Sequence, residues 1–115
     1  MYNYIELDES KLEFVPVAAA EEVINGDRIF VDIDEFHLVV FNIGGNYYAI
    51  GDVCSHDGGP LGDGEVVDHE VVCPRHGARF DVRTGEVTAL PAIEDIPAYP
   101  VRVQDGQIEV GIPLE

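Results

Sequence analysis

Turn signals follow one another at short intervals along this chain, and they set its fold class before any other feature does. Asn25-Gly26, Asp34-Glu35, Gly44-Gly45-Asn46, Asp68-His69, Thr84-Gly85 and Asp105-Gly106 each stand beside a run rich in β-branched and aromatic residues. Glycine, asparagine and aspartate tolerate the left-handed backbone of tight hairpins, so these sites turn the chain back on itself. The runs between them read as strands over 12–18, 27–33, 36–42, 47–53, 65–67, 70–73, 79–82, 86–89 and the two arms of 101–110. Residues 19–24 suit one helical turn, and 90–100, with three prolines, predicts an irregular surface loop. Short strands joined by hairpins predict an all-β fold, a small antiparallel sandwich or barrel.

The chain holds 115 residues, which predicts one domain over 1–115 around one modest core. No internal repeat, low-complexity tract or linker divides it. The polar residues 1–11 predict a loosely attached tail. The opening residues carry neither a basic region nor an apolar segment, so no secretory signal is expected there. No apolar run reaches membrane-spanning length, and a cytosolic location is the expectation.

Charge narrows the partners. Six Lys+Arg against 23 Asp+Glu give a net charge of −17. Such a surface repels phosphate backbones and anionic lipid, which argues against nucleic-acid and membrane-surface roles and favours a basic partner. Solubility alone, for example in high salt, accounts for the acidity equally well.

Two short stretches concentrate the reactive residues. Cys54-Ser55-His56 and Cys73-Pro74-Arg75-His76 pair each cysteine of the chain with a histidine. Both lie in loops that follow strands, and the hairpin at 68–69 returns the chain between them. Four soft or borderline ligands then face one another, which is what a metal centre needs. The alternating order Cys, His, Cys, His departs from the usual structural zinc order. It suits a binuclear iron–sulfur centre with both thiolates on one iron and both imidazoles on the other. A structural zinc and a Cys–His nucleophile stay open as other readings.

The stretch "CSHDGGPLGDGEVVDHEVVCPRHGARFDVRTGEV" closely resembles the cluster-binding region of Rieske-type ferredoxins, and the resemblance runs over about residues 12–112. It implies one [2Fe–2S] cluster held by the thiolates of Cys54 and Cys73 and the imidazoles of His56 and His76. It also implies a Rieske-type antiparallel β fold with the cluster-binding loops at one tip. The cytochrome bc type adds a disulfide between the loops, where this chain has Gly59 and Arg75. That type also has hydroxyl residues near the cluster sulfurs, where Ala78 and Phe80 stand here. Oxygenase catalytic subunits usually carry a tryptophan near position 78 and a long second domain, both absent here.

The resemblance therefore implies a soluble one-electron carrier without substrate chemistry of its own, the ferredoxin component of a ring-hydroxylating dioxygenase system. It would run between a flavoprotein reductase and a terminal oxygenase. A small subunit of a nitrite-reductase-like enzyme, or a structural zinc-binding interaction module, is the alternative. Without hydroxyl donors to sulfur, the expected potential lies low in the Rieske range, at about −150 mV. Of the remaining residues, His37 and His69 read as surface or turn histidines and Ser55 as a small loop residue. Pro91 reads as a loop proline that can help to cover the cluster. Arg75, Arg79 and Arg83 are either a docking spot or a local balance to acidity.

Overall fold

The computed structural model describes residues 3–114. Eleven strands run in chain order: β1 Leu12–Ala19, β2 Arg28–Ile33, β3 Phe36–Ile43, β4 Asn46–Gly51, β5 Val66–Val67, β6 Glu70–Val72, β7 Arg79–Asp81, β8 Val87–Ala89, β9 Ala98–Tyr99, β10 Val101–Gln104 and β11 Gln107–Pro113. They form three sheets with the orders β1-β11-β10, β2-β3-β4-β9 and β5-β6-β7-β8, and all pairs among them are antiparallel. The all-β expectation holds: the helical residues described are 3₁₀ turns, one of them at Ala20–Glu22 as expected.

Four of the hairpins are two-residue turns, at 34–35, 44–45, 68–69 and 105–106; three have an aspartate at positive φ in the first position, and the other is Gly44-Gly45. Aspartate adopts this conformation because its short carboxylate bonds locally.

The central strand β3 of the four-stranded sheet β2-β3-β4-β9 is buried on both faces. In β3, Leu38 and Val40 point into a core shared with Ile108, Val110 and Ile112 of β11. Val39 and Phe41 point the other way, into a core shared with Val71, Phe80, Cys54 and Cys73. The unbroken apolar run of β3 is thus that of a strand packed on both sides. The second core carries the two cysteines, so the loops that hold them are anchored in close-packed interior.

Three expectations need correction. Strand β1 runs through Pro16 to Ala19, because it is an edge strand and its pairing shifts register between Pro16 and Ala18. The segment 90–100 is only partly a surface loop: Ala92, Ile96, Ala98 and Tyr99 are buried, and β9 pairs with β4. The alternation of prolines with small and apolar residues masked that burial. Residues 3–11 are held more closely than a loose tail would be. Tyr4 stacks on Tyr99 with ring centroids 5.0 Å apart, and Asn3 bridges to Ala98. Residues 1 and 2 of the expected tail lie outside the described residues.

Candidate metal centre

The two cysteine–histidine stretches fold into loops of the same design. In loop 1 (52–65, between β4 and β5) the Cys54 N–H donates to the Gly59 carbonyl at 2.8 Å, and the Gly58 N–H donates to the Cys54 carbonyl at 2.7 Å. In loop 2 (73–78, between β6 and β7) the Cys73 N–H donates to the Ala78 carbonyl at 2.7 Å, and the Gly77 N–H to the Cys73 carbonyl at 3.0 Å. The fourth residue after each cysteine is a glycine at positive φ, 74° for Gly58 and 78° for Gly77. A side chain there would be strained, so C-x-x-x-G is the local code for this closed turn. One loop places its histidine two residues after the cysteine, the other three.

The loops pair their donors by type. Cys54 and Cys73 are buried, at 0% and 1% exposure, and their thiols are neighbours. His56 and His76 are exposed, with ring centroids 5.1 Å apart and planes at 85°. Among the described residues, no three His, Cys, Asp or Glu side chains gather at one ion position. The two thiols thus lie inside and the two imidazoles outside.

The sulfurs sit in polar cradles within the apolar core. Burial pushes the Cys54 thiol up, and contact with Cys73 adds to this, against the amides of His56 and Asp57. Burial also opposes ionisation of Cys73, but the amides of Arg75 and His76, the Cys54 thiol and the Arg75 charge together pull it below its ordinary value. Backbone N–H groups aimed at a sulfur favour its thiolate, the form that ligates metal.

Comparison with known proteins decides the family. The model of the Rieske [2Fe–2S] domain matches residues 13–100. The chain belongs to the Rieske [2Fe–2S] family. It is 37% identical over 99 residues to the 3-phenylpropionate/cinnamic acid dioxygenase ferredoxin subunit of Escherichia coli K12, covering 85% of this chain and 90% of that one. The ferredoxin of carbazole 1,9a-dioxygenase from Nocardioides aromaticivorans IC177 superposes with a TM-score of 0.80 at 37% identity, over 84% of this chain and 95% of that one. A chain from the complex of reduced oxygenase and oxidised ferredoxin in carbazole 1,9a-dioxygenase gives 0.81 at 28% identity, over 89% and 97%.

This Rieske domain carries one [2Fe–2S] cluster, and the donor set fits it: paired thiols and paired imidazoles are the mixed ligation such a cluster takes. Ala78 and Phe80 are both fully buried in the cysteine-bearing core and bring no hydroxyl to it.

Several residues outside the motif shape the Rieske loops. Asp52 Oδ1 accepts from the Leu61 and Gly62 amides at 2.9 and 2.6 Å, bracing the base of loop 1. Arg28, far away in β2, donates through Nη1 to the carbonyls of Gly62 and Gly64 at 2.7 and 2.5 Å and lies over Phe41. Ser55 Oγ donates to the Glu94 carbonyl at 2.5 Å, so it links loop 1 to the 90–97 segment rather than merely filling space. None of these partners is near in sequence, and only the Asp-x-Cys spacing hinted at Asp52.

The three arginines are engaged within the chain. Arg75 pairs with Asp57, Arg79 with Glu70 at 3.4 Å, and Arg83 with Asp81 at 2.8 Å. Only Arg75 and Arg79 border loop 2, since Arg83 follows the far end of β7. They balance local acidity, and among the described residues no unpaired arginine stands beside the imidazoles. His37 is exposed and its ring bonds Asp32 at 2.7 Å. His69 is not simply solvated: it is half-buried with its ring edge-on to Tyr48, centroids 5.9 Å apart.

Proposed function

We propose that this protein is the one-electron carrier of an oxygenase system. Cys54 and Cys73 hold one iron of the cluster and His56 and His76 hold the other. When bound, the cluster takes up and releases a single electron. The chain supplies a dry, amide-lined seat for the sulfur end and an exposed imidazole edge at the tip. The observation that carries this reading is the split between buried thiols and exposed imidazoles. It provides a short route for an electron to a partner docked on the tip.

The donor is a flavoprotein reductase and the acceptor a terminal oxygenase, in keeping with the ferredoxin relatives and with the oxygenase–ferredoxin complex. The protein has no substrate chemistry of its own and works in the cytoplasm. Among the described residues, no helix is long and apolar enough to cross a membrane.

Two measurements test this. The reduced protein should give the low average g-value of mixed His/Cys ligation, and His76→Cys, if it assembles a cluster, should lower the potential. An unchanged potential removes His76 from the ligand set. In stopped-flow mixing, the reduced protein should be reoxidised by a terminal oxygenase of the ring-hydroxylating class. Reoxidation no faster than in buffer alone would overturn the carrier role.

A further inference from the structure

Each donor loop is closed by its own backbone hydrogen bonds, yet a cluster held by both requires a fixed separation between them. The base of loop 1 is braced by Asp52 and Arg28. At the tip, the Arg75 side chain reaches across with three hydrogen bonds, and His76 Nε2 lies 3.7 Å from Asp57 Oδ2. From loop 2, Arg75 donates through Nε to Asp57 Oδ2 at 2.6 Å, through Nη2 to Asp57 Oδ1 at 3.0 Å, and through Nη1 to the Pro60 carbonyl at 2.7 Å. Asp57 is itself pinned, since its Oδ1 accepts from the Gly59 amide at 2.9 Å. The guanidinium rests on Gly59, where a Cβ would come within 2.9 Å of its central carbon.

We propose that Arg75, acting through Asp57, is the positioning residue that ties the two donor loops together and sets how readily they part to release the cluster. Asp57 directly follows His56 and Arg75 directly precedes His76, so one ion pair holds the backbone beside both imidazoles. A planar fork that grips a carboxylate on two parallel bonds fixes orientation as well as distance, which an ammonium cannot do. The inference rests on the reading that both loops hold the cluster.

The test uses the full-length, cluster-loaded protein and the variants R75Q, D57N, the double variant and R75K. Two quantities are read in each: the rate at which visible absorbance bleaches with a chelator present, and the midpoint potential. A tie predicts that R75Q and D57N both bleach roughly three- to tenfold faster, and that the double variant is no faster than either single one. Their potentials should move in opposite directions, down for R75Q and up for D57N, and return towards wild type in the double variant. R75K should keep a near-native potential yet bleach fast, because charge remains and the fork is gone.

Wild-type bleaching in R75Q or R75K would overturn the tie, as would multiplying effects in the double variant. So would bleaching rates that merely follow the opposed potentials, which would indicate charge alone. Failure of the ligand reading shows separately, as a four-cysteine type of spectrum in the reduced wild-type protein.

Discussion

At the scale of single residues, the centre is set as much by what is missing as by what is present. Ala78 and Phe80 are fully buried in the core that carries the cysteines. A hydroxyl there would donate to sulfur and stabilise the extra negative charge of the reduced state. Ala78→Ser or Phe80→Tyr should therefore raise the midpoint potential by on the order of 50–100 mV from a starting value of about −150 mV. An equilibrium redox titration checks both numbers, and a clearly positive wild-type potential would contradict the account.

The acidic residues near the cysteines also change meaning in three dimensions. Read as bare charges, Asp52 and Asp57 oppose reduction. In the fold, Asp52 caps two amides, and the Arg75 fork holds Asp57 well below the usual carboxylate range, with the Gly59 amide assisting. Their negative charge is largely answered before it reaches the cluster. The twin loops were legible in the sequence because metal chemistry demands cysteine and histidine at short spacing, and closed turns demand glycine. The tie between them was not, because Arg75 and Asp57 stand 18 residues apart and look like ordinary surface charges.

At the scale of elements, the strands follow from residue type and the turns from backbone tolerance. Hairpins at 34–35, 68–69 and 105–106 fall where the sequence places Asp-Glu, Asp-His and Asp-Gly. The less visible constraint is where loop 1 is pressed against β6. A Cβ on Gly64 would collide with the Val72 carbonyl oxygen, a backbone atom that cannot swing aside. Gly64→Ala should lower the free energy of unfolding by about 1–3 kcal/mol, read in urea denaturation as an earlier midpoint with little change in slope. An unchanged midpoint would mean that loop 1 lifts off β6 without cost. The 90–100 segment shows the limit of local reading. Its three prolines mark irregular backbone correctly, but burial of Ala92, Ile96, Ala98 and Tyr99 depends on partners elsewhere in the chain.

At the scale of the whole molecule, the net charge of −17 and the pairing of the arginines beside the imidazoles act together. Arg75 and Arg79, the arginines bordering loop 2, are each paired with a carboxylate, so an approaching partner meets an acidic field. Attraction of that kind falls steeply with ionic strength. In the stopped-flow assay, raising salt from about 10 mM to about 150 mM should slow second-order reoxidation by an oxygenase with a basic docking face by roughly tenfold. A rate indifferent to salt would mean that docking relies on apolar contact instead.

The sequence by itself determined the fold class and the turn positions, and it put forward the four cysteine and histidine residues. Each of these rests on local rules: backbone tolerance in tight turns, alternation in strands, and the few side chains that bind iron. Only the tertiary structure decided that the thiols face inward and the imidazoles outward, and that Arg75, Arg79 and Arg83 are paired. The tie of loop 1 to loop 2 by one guanidinium was likewise decided there. Burial and ion pairing depend on which distant segments meet, and no spacing along the chain encodes that.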